Sequence, residues 1–168
     1  MHRLARVILA MSCLGVVPAL PTSAGAADPR IPIGGSSTFE LAGYCSFPVR
    51  VSVTSNEYII HETTASDGTT KQQITGNQLY TLTNEASGKS ITYQANGPGT
   101  LVSRPNGSFS VDAHGPNLFY TAPADSYPGV PYISYTTGHV TFAVDESGRT
   151  TAYSLNGQQT DVCKALGG

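Results

Sequence analysis

Three short alternating runs, separated by two glycine-rich turns, follow one another in residues 89–113, KSITYQANGPGTLVSRPNGSFSVDA. Apolar and polar residues alternate in the runs, which is the pattern of a β-strand with one buried face. The turns are residues 96–99 and 105–107, and the second contains Asn-Gly, the strongest short hairpin signal. This stretch therefore predicts consecutive antiparallel hairpins.

Similar runs recur along the rest of the chain, with a turn signal roughly every ten residues. After residue 27 no segment of helix length has an apolar period of 3.6 residues. We therefore predict an all-β fold, an antiparallel β-barrel or sandwich of about eight to ten strands with one disulfide. Asn156-Gly157 is predicted as the last turn, and residues 161–166 as one helical turn. The alternation assigns to the inner face Val49, Val51, Val53, Ile91, Tyr93, Phe109, Val111, Val140, Phe142 and Val144.

The composition agrees with a turn-rich β domain. The 168 residues include 18 Gly and 11 Pro, no Trp, and only 12% charged residues. The chain is too apolar and too weakly charged to belong to the disordered class. Its net charge of −2 provides no basic surface for nucleic acid. We therefore expect no nucleic-acid partner.

The N-terminal residues have the order of a secretory signal peptide. Arg3 and Arg6 precede an apolar run over residues 7–20, which contains Cys13, and the small residues 24–27 follow. A membrane anchor is the alternative, but the apolar run is shorter than the ~20 residues that span a bilayer. We predict a signal peptide at 1–27, a flexible N-terminal arm at 28–40 and a single β domain at 41–168. The mature protein is then secreted, without a membrane span.

Two cysteines remain after the predicted signal peptide, Cys45 and Cys163. An even number of cysteines in an exported protein indicates a disulfide. A metal site or a catalytic thiol is the alternative, but no C-x-x-C spacing occurs and no histidine is close to either cysteine. We predict a Cys45–Cys163 disulfide that closes nearly the whole domain into one loop.

The segments around these cysteines carry a resemblance. The first is Cys45-Ser46-Phe47-Pro48-Val49, and the second is Asp161-Val162-Cys163-Lys164-Ala165-Leu166. With them the chain resembles small exported all-β proteins of actinobacteria, which begin with C-x-F-P-V and end with a D-x-C-x-A-L tail. The resemblance covers about residues 41–166. It implies export, the disulfide and the β fold, and it carries over no catalytic or binding residue.

Two groups of residues are candidates for ligand binding. Tyr120, Tyr127 and Tyr132 lie in or beside the proline-rich loop 123–131, where rigidly held aromatic rings suit recognition. Ordinary packing of the loop is the alternative. His61 and Glu62 are adjacent in a predicted strand, so one of them can point inward, although exposure at a strand end is the simpler interpretation.

The other motifs in the sequence lack a residue or a spacing that the corresponding catalytic or binding site requires. Residues 85–90 end like a phosphate-binding loop, but Thr83 stands where that motif needs glycine. Asp112 and His114 share one face of a predicted strand, opposite its apolar face, and His139 lies opposite Val140, so all three are expected at the surface. No histidine spacing fits a metal motif. We therefore predict no catalytic residue, no metal and no cofactor.

The sequence thus predicts an exported, non-catalytic, monomeric β domain that binds a small apolar ligand, a glycan or a surface protein. The alternative is a barrel-type enzyme, a cyclase, isomerase or hydrolase, with its site near His61 and Glu62. An enclosed cavity of a few hundred Å³ with inward polar groups would favour the enzyme, whereas a filled core would favour the binding domain in the form that binds a surface protein.

Overall fold

The computed structural model describes residues 30–168, which form ten strands and one short helix, α1 (Val162–Ala165). The strands are β1 (Ile31–Pro32), β2 (Ser36–Leu41), β3 (Val49–Thr64), β4 (Thr70–Asn84), β5 (Ser90–Ala95), β6 (Gly99–Ser103), β7 (Phe109–His114), β8 (Asn117–Tyr120), β9 (Ile133–Val144) and β10 (Thr150–Asp161). The all-β class is confirmed. The predicted signal peptide, residues 1–27, lies outside the described residues. Among those described, no helix has the length and apolar character to cross a membrane.

All ten strands belong to one antiparallel sheet. Its main path is β1-β3-β4-β6-β7-β9-β10, while β2 pairs with β3, β5 with β4, and β8 with β9. Over residues 30–168 the two ends of this path, β1 and β10, are not paired with each other, so the sheet does not close into a barrel. At one end of the strands, hydrogen bonding runs without a break across the whole sheet. At the other end the strands separate into two groups, which form two layers.

The division occurs at glycines in the two long hairpins, β3–β4 and β9–β10. Along its length β4 pairs first with β6 and then with β5, and Gly76 lies between the two partners. In the same way β9 pairs with β8 and then with β7, on either side of Gly138. Gly138 has φ +109°, and a side chain there would overlap the carbonyl oxygen of Asn156. Glycine is therefore required where β9 changes partners.

The main hydrophobic core fills the space between the two layers. One layer is β2 and β5 with the parts of β3 and β4 paired to them, and the facing layer is β8 with the parts of β9 and β10 beside it, together with α1. Leu82 and Ile133 are fully buried there, and each side chain of this size stabilises the fold by about 1.5–3 kcal/mol on burial. The buried members of the core are Leu41, Val49, Val51, Tyr80, Leu82, Ala95, Leu118, Ile133, Val162 and Leu166.

The predicted inner face is confirmed. Each of the ten apolar residues assigned to it is buried or half-buried. Val140 has no exposed surface, whereas its neighbour His139 is half-exposed and Asp112 is exposed. The period of two therefore gave the correct face for strands β7 and β9.

The disulfide is also confirmed. Cys45 and Cys163 are bonded, with Cα atoms 5.4 Å apart, a normal separation for a disulfide. The bond joins the segment before β3 to α1. Asp161 caps this helix by accepting a hydrogen bond from the Lys164 N–H, with an N···O distance of 3.2 Å. The predicted helical turn at the C-terminus is therefore present.

Two expectations differ from the structure. Residues 36–41, which fall largely within the predicted flexible arm, form β2 and pair with β3 over six consecutive positions. Asn156-Gly157, predicted as a turn, lies inside β10, where Gly157 pairs with Gly138. In each case pairing with a neighbouring strand prevails over a local composition rich in glycine and small polar residues.

Candidate functional site

An open groove of about 550 Å³ lies between the loop that joins β8 to β9 and the disulfide-linked end of the domain. Tyr127 and Tyr132 contribute to it from the loop, and Tyr44 from the segment before Cys45. Asp161 and Lys164 lie at the same groove, with Lys164 Nζ 3.5 Å from Asp161 Oδ2. We call this site the tyrosine groove; three tyrosines and one ion pair line it. The ring of Tyr127 also lies near that of Tyr153, with centroids 6.3 Å apart.

The loop wall of the groove is held by its own hydrogen bonds. At its base the Thr121 N–H donates to the Tyr132 carbonyl, with an N···O distance of 2.9 Å. A 3₁₀ turn over Pro123–Asp125 follows, and Ser126 Oγ donates to the Pro123 carbonyl at 3.0 Å. Because prolines also fix the backbone, little conformational entropy is left to lose on binding.

The predicted tyrosines lie on or beside this groove. Tyr127 and Tyr132 line it, and Tyr132 is 40% exposed. Tyr120 lies beside it, because its ring centroid is 6.4 Å from that of Tyr44 and 5.7 Å from that of Phe39. The four tyrosines therefore form one connected region, and sequence analysis missed Tyr44.

The position of Tyr44 could be predicted only in part. It precedes Cys45, so the predicted disulfide places it near the C-terminal helix. Its position opposite the β8–β9 loop depends on the packing of the two layers, which local patterns do not contain. The disulfide was thus the one signal in the sequence for this wall of the groove.

The phenol groups of Tyr44 and Tyr120 remain hydrogen-bond donors near neutral pH. Burial raises the pKa of Tyr44, and the Asp125 carboxylate adds to the effect. Burial also raises the pKa of Tyr120, with a further contribution from Tyr44. Each hydroxyl therefore stays protonated and can donate to an acceptor on a ligand.

His61 lies away from the groove. It is near the far end of the β3–β4 hairpin, after an irregularity in pairing between Ile59 and His61, and it does not line the groove. Both His61 and Glu62 are exposed, and Glu62 accepts a hydrogen bond from the Gln72 side chain. Neither points into the core, so the simpler interpretation, exposure near a strand end, holds.

A second group of polar side chains meets on the outer face of β7 and β9. His114 and His139 are directly paired across these strands, and their rings are stacked with centroids 4.2 Å apart and planes 3° from parallel. Asp112 Oδ1 lies 3.3 Å from His114 Nε2 and 3.0 Å from His139 Nε2. We call these three residues the Asp–His–His cluster.

The cluster has the residue types that hold a metal, because one atom from each of its three side chains lies within 4.8 Å of the others. Sequence analysis placed these residues at the surface but expected no metal. It could not join them, because Asp112 and His139 are 27 residues apart and meet only through the register of β7 against β9. The spacing rules for metal motifs do not detect such a pair of strands.

A shallow trough of about 370 Å³ continues from the cluster along the same outer face. Asp112 belongs to both the cluster and the trough, and the hydroxyl residues Thr100, Thr141 and Ser154 line the trough beside it.

Comparisons with protein-family models, with curated proteins and with solved structures found no match for this chain.

Proposed function

We propose that this chain is an exported, non-catalytic β domain that binds a hydroxyl-rich ligand of the glycan class in the tyrosine groove. The observation that carries the proposal is that Tyr44, Tyr127 and Tyr132 line one open groove, and that hydrogen bonds hold the loop on one side of it. Tyrosine supplies an apolar ring together with a polar hydroxyl. Sugar rings present the matching combination, apolar C–H faces edged by hydroxyls.

The size and openness of the groove favour a glycan over a small apolar molecule. Its volume of about 550 Å³ falls within the usual range for ligand sites. The more enclosed apolar space under the loop, between Phe119, Tyr127 and Phe142, measures only about 30 Å³. That is room for about one water molecule, so a buried apolar ligand has no place there.

The polar groups at the groove also suit a neutral, hydroxyl-rich ligand. Asp161 and Lys164 carry opposite charges and lie close enough to compensate each other. Each can still exchange hydrogen bonds with a hydroxyl group, because carboxylate oxygens accept and an ammonium donates. A ligand with many hydroxyls needs both hydrogen-bond donors and acceptors. A strongly charged ligand would instead be repelled by either the Asp161 carboxylate or the Lys164 ammonium.

Export is supported by two observations of different kinds. Residues 1–27 have the order of a signal peptide, and the domain contains the Cys45–Cys163 disulfide, a bond that persists in oxidising compartments. Mass spectrometry of the culture medium should find a mature N-terminus at Ala27 or Asp28. Recovery of the full chain only from the membrane fraction would contradict export.

Glycan binding is tested by titrating the protein with soluble xylo-, cello-, chito- and manno-oligosaccharides in a calorimeter. We expect saturable binding of at least one series. Tyr127→Ala and Tyr132→Ala should each weaken it by about fivefold or more, the effect of losing an aromatic anchor worth 1 kcal/mol or more.

The matched control is Tyr58→Ala, because Tyr58 is a half-buried tyrosine of β3 that does not line the groove. It should leave the affinity unchanged. Tyr127→Phe separates the hydroxyl from the ring, and it should retain most of the affinity if stacking dominates. Absence of binding across the four series, or equal binding by wild type and both groove variants, would refute the proposal.

A further inference from the structure

The backbone at the Asp–His–His cluster is fixed by contacts that do not involve its side chains. The His114 N–H donates to the Pro98 carbonyl, and the Gly115 N–H donates to the Gly138 carbonyl, with N···O distances of 2.9 and 2.7 Å. Asn117 Nδ2 donates to the His114 carbonyl at 3.2 Å. Because the end of β7 that lies beside Gly138 of β9 is held in this way, the backbone positions of the two histidines are set by the fold itself.

Glycine at two neighbouring positions makes this arrangement feasible. A side chain at Gly97 would overlap the carbonyl oxygen of His114, and one at Gly138 would overlap β10. On the opposite face of the two strands, Ala113 and Val140 are buried in the hydrophobic interior. The cluster therefore lies on a rigid part of the sheet, which is the requirement for a precise ligand geometry.

Two of the distances within the cluster are close to those between the ligand atoms of a tetrahedral metal ion. Bonds from zinc to histidine nitrogen and carboxylate oxygen are about 2.0–2.2 Å, so two ligands of a tetrahedral ion lie about 3.4 Å apart. The distances from Asp112 Oδ1 to the Nε2 atoms of His114 and His139 are 3.3 and 3.0 Å. A small widening of the cluster, together with rotation of the two stacked rings toward a common point, would therefore accommodate an ion bound to all three atoms.

The contact of the two histidines with Asp112 contributes little to the stability of the domain. The side chains of His114 and His139 are 60% and 42% exposed, and exposed ion pairs contribute only about 0–1 kcal/mol. Exposure has a second consequence, since an ion from solvent reaches the three atoms without any rearrangement of the domain.

From this geometry we propose that Asp112, His114 and His139 bind a divalent transition metal of the zinc class. Imidazole is a common ligand of Zn²⁺, Cu²⁺, Fe²⁺ and Ni²⁺, whereas Ca²⁺ and Mg²⁺ select oxygen ligands. Three protein ligands leave the fourth position of a tetrahedral ion for water or another ligand. Asp112 also lines the trough on the outer face, so the trough adjoins the proposed ion.

The test uses protein produced from the full chain without a histidine tag, titrated with ZnCl₂ in a chelator-free buffer near neutral pH. We expect one Zn²⁺ to bind per chain, and we expect no saturable heat with CaCl₂. His114→Ala and His139→Ala should each weaken zinc binding by about tenfold or more. Loss of a residue that only supports a metal ligand already weakens binding by about tenfold, so loss of a ligand itself should weaken it at least as much. Asp112→Asn should also weaken it, because the charge is lost while one oxygen remains.

His61→Ala is the matched control, since His61 is an exposed histidine of β3 that belongs to no metal-ligating group among residues 30–168. It should leave affinity and stoichiometry unchanged. A second measurement uses only the folded wild type and avoids dependence on the variants. One equivalent of Zn²⁺ should shift the imidazole NMR signals of His114 and His139 and leave those of His61 in place.

Zinc binding that survives the His114→Ala/His139→Ala double variant would overturn the proposal. So would the absence of saturable binding, or NMR shifts confined to histidines outside the cluster. The tyrosine groove contains none of the three cluster residues, so failure of the metal site leaves the glycan proposal unaffected, and the reverse also holds.

Discussion

Replacement of both Cys45 and Cys163 by serine is expected to lower the free energy of unfolding substantially. The bond connects positions 118 residues apart, so it restricts almost the entire domain in the unfolded state. The chain-entropy relation for a loop of this length gives about 5 kcal/mol near room temperature. That is a large share of the 5–15 kcal/mol typical of a folded domain.

The loss should appear in both thermal and chemical unfolding. For a domain of this size each kcal/mol corresponds to about 2–4 °C, so the melting temperature should fall by about 10–20 °C. In guanidinium the slope of the free energy against denaturant should also increase, because the unlinked chain exposes more surface when it unfolds. Wild-type protein in excess dithiothreitol should match the double variant.

A separate variant distinguishes this effect from simple loss of packing at the C-terminus. Leu166 is fully buried in the core close to Cys163, so Leu166→Ala should destabilise the oxidised protein by about 2–5 kcal/mol without changing the slope. The reasoning is refuted if the double serine variant loses less than about 2 kcal/mol and its slope equals that of the wild type.

Three further substitutions test the fold. Leu82 of β4 has no exposed surface, so Leu82→Ala should lower the free energy of unfolding, measured in urea, by about 2–5 kcal/mol. A loss no larger than that at an exposed site would show that Leu82 does not lie in the core. Gly138→Ala forces a Cβ against the backbone of β10 at φ +109°, and hydrogen exchange should show loss of protection in β9 and β10, where unchanged protection would contradict the strain. Burial raises the pKa of Glu57, and a hydrogen bond from Ser55 partly opposes this effect. The folded state therefore binds the Glu57 proton more tightly than the unfolded state does. The free energy of unfolding consequently falls as the pH rises through the range in which Glu57 loses this proton. The stability of Glu57→Gln relative to wild type should therefore be greater at about pH 7 than at about pH 4. An equal difference at both pH values would contradict the raised pKa of this half-buried carboxyl group.

Local alternation was sufficient to predict the class of the fold and the orientation of individual strands. Val111 and Asp112 face opposite sides because successive side chains in a strand alternate, whatever lies beyond the strand. The pairing of Cys45 with Cys163 followed from their number in a chain with a signal-like start. These conclusions need no knowledge of which strands are neighbours.

Turn signals were less reliable because their effect depends on the neighbouring strand. The hairpin at Asn106-Gly107 formed as predicted, and the Gly107 N–H donates to the Arg104 carbonyl there. Asn156-Gly157 has a similar composition, but it continues as a strand because Gly157 pairs with Gly138. A glycine permits a turn and also permits close approach of two backbones, and only the pairing decides between them.

The candidate sites belong to the part that tertiary structure decided. The sequence placed Tyr127 in a rigid loop and Tyr132 beside it, but the facing wall with Tyr44 arises from the packing of two layers. The sequence likewise placed Asp112 and His139 on exposed faces without bringing them together. Their proximity depends on the register of β7 against β9, which is a property of two paired strands and is set by turns and core contacts along the whole sheet.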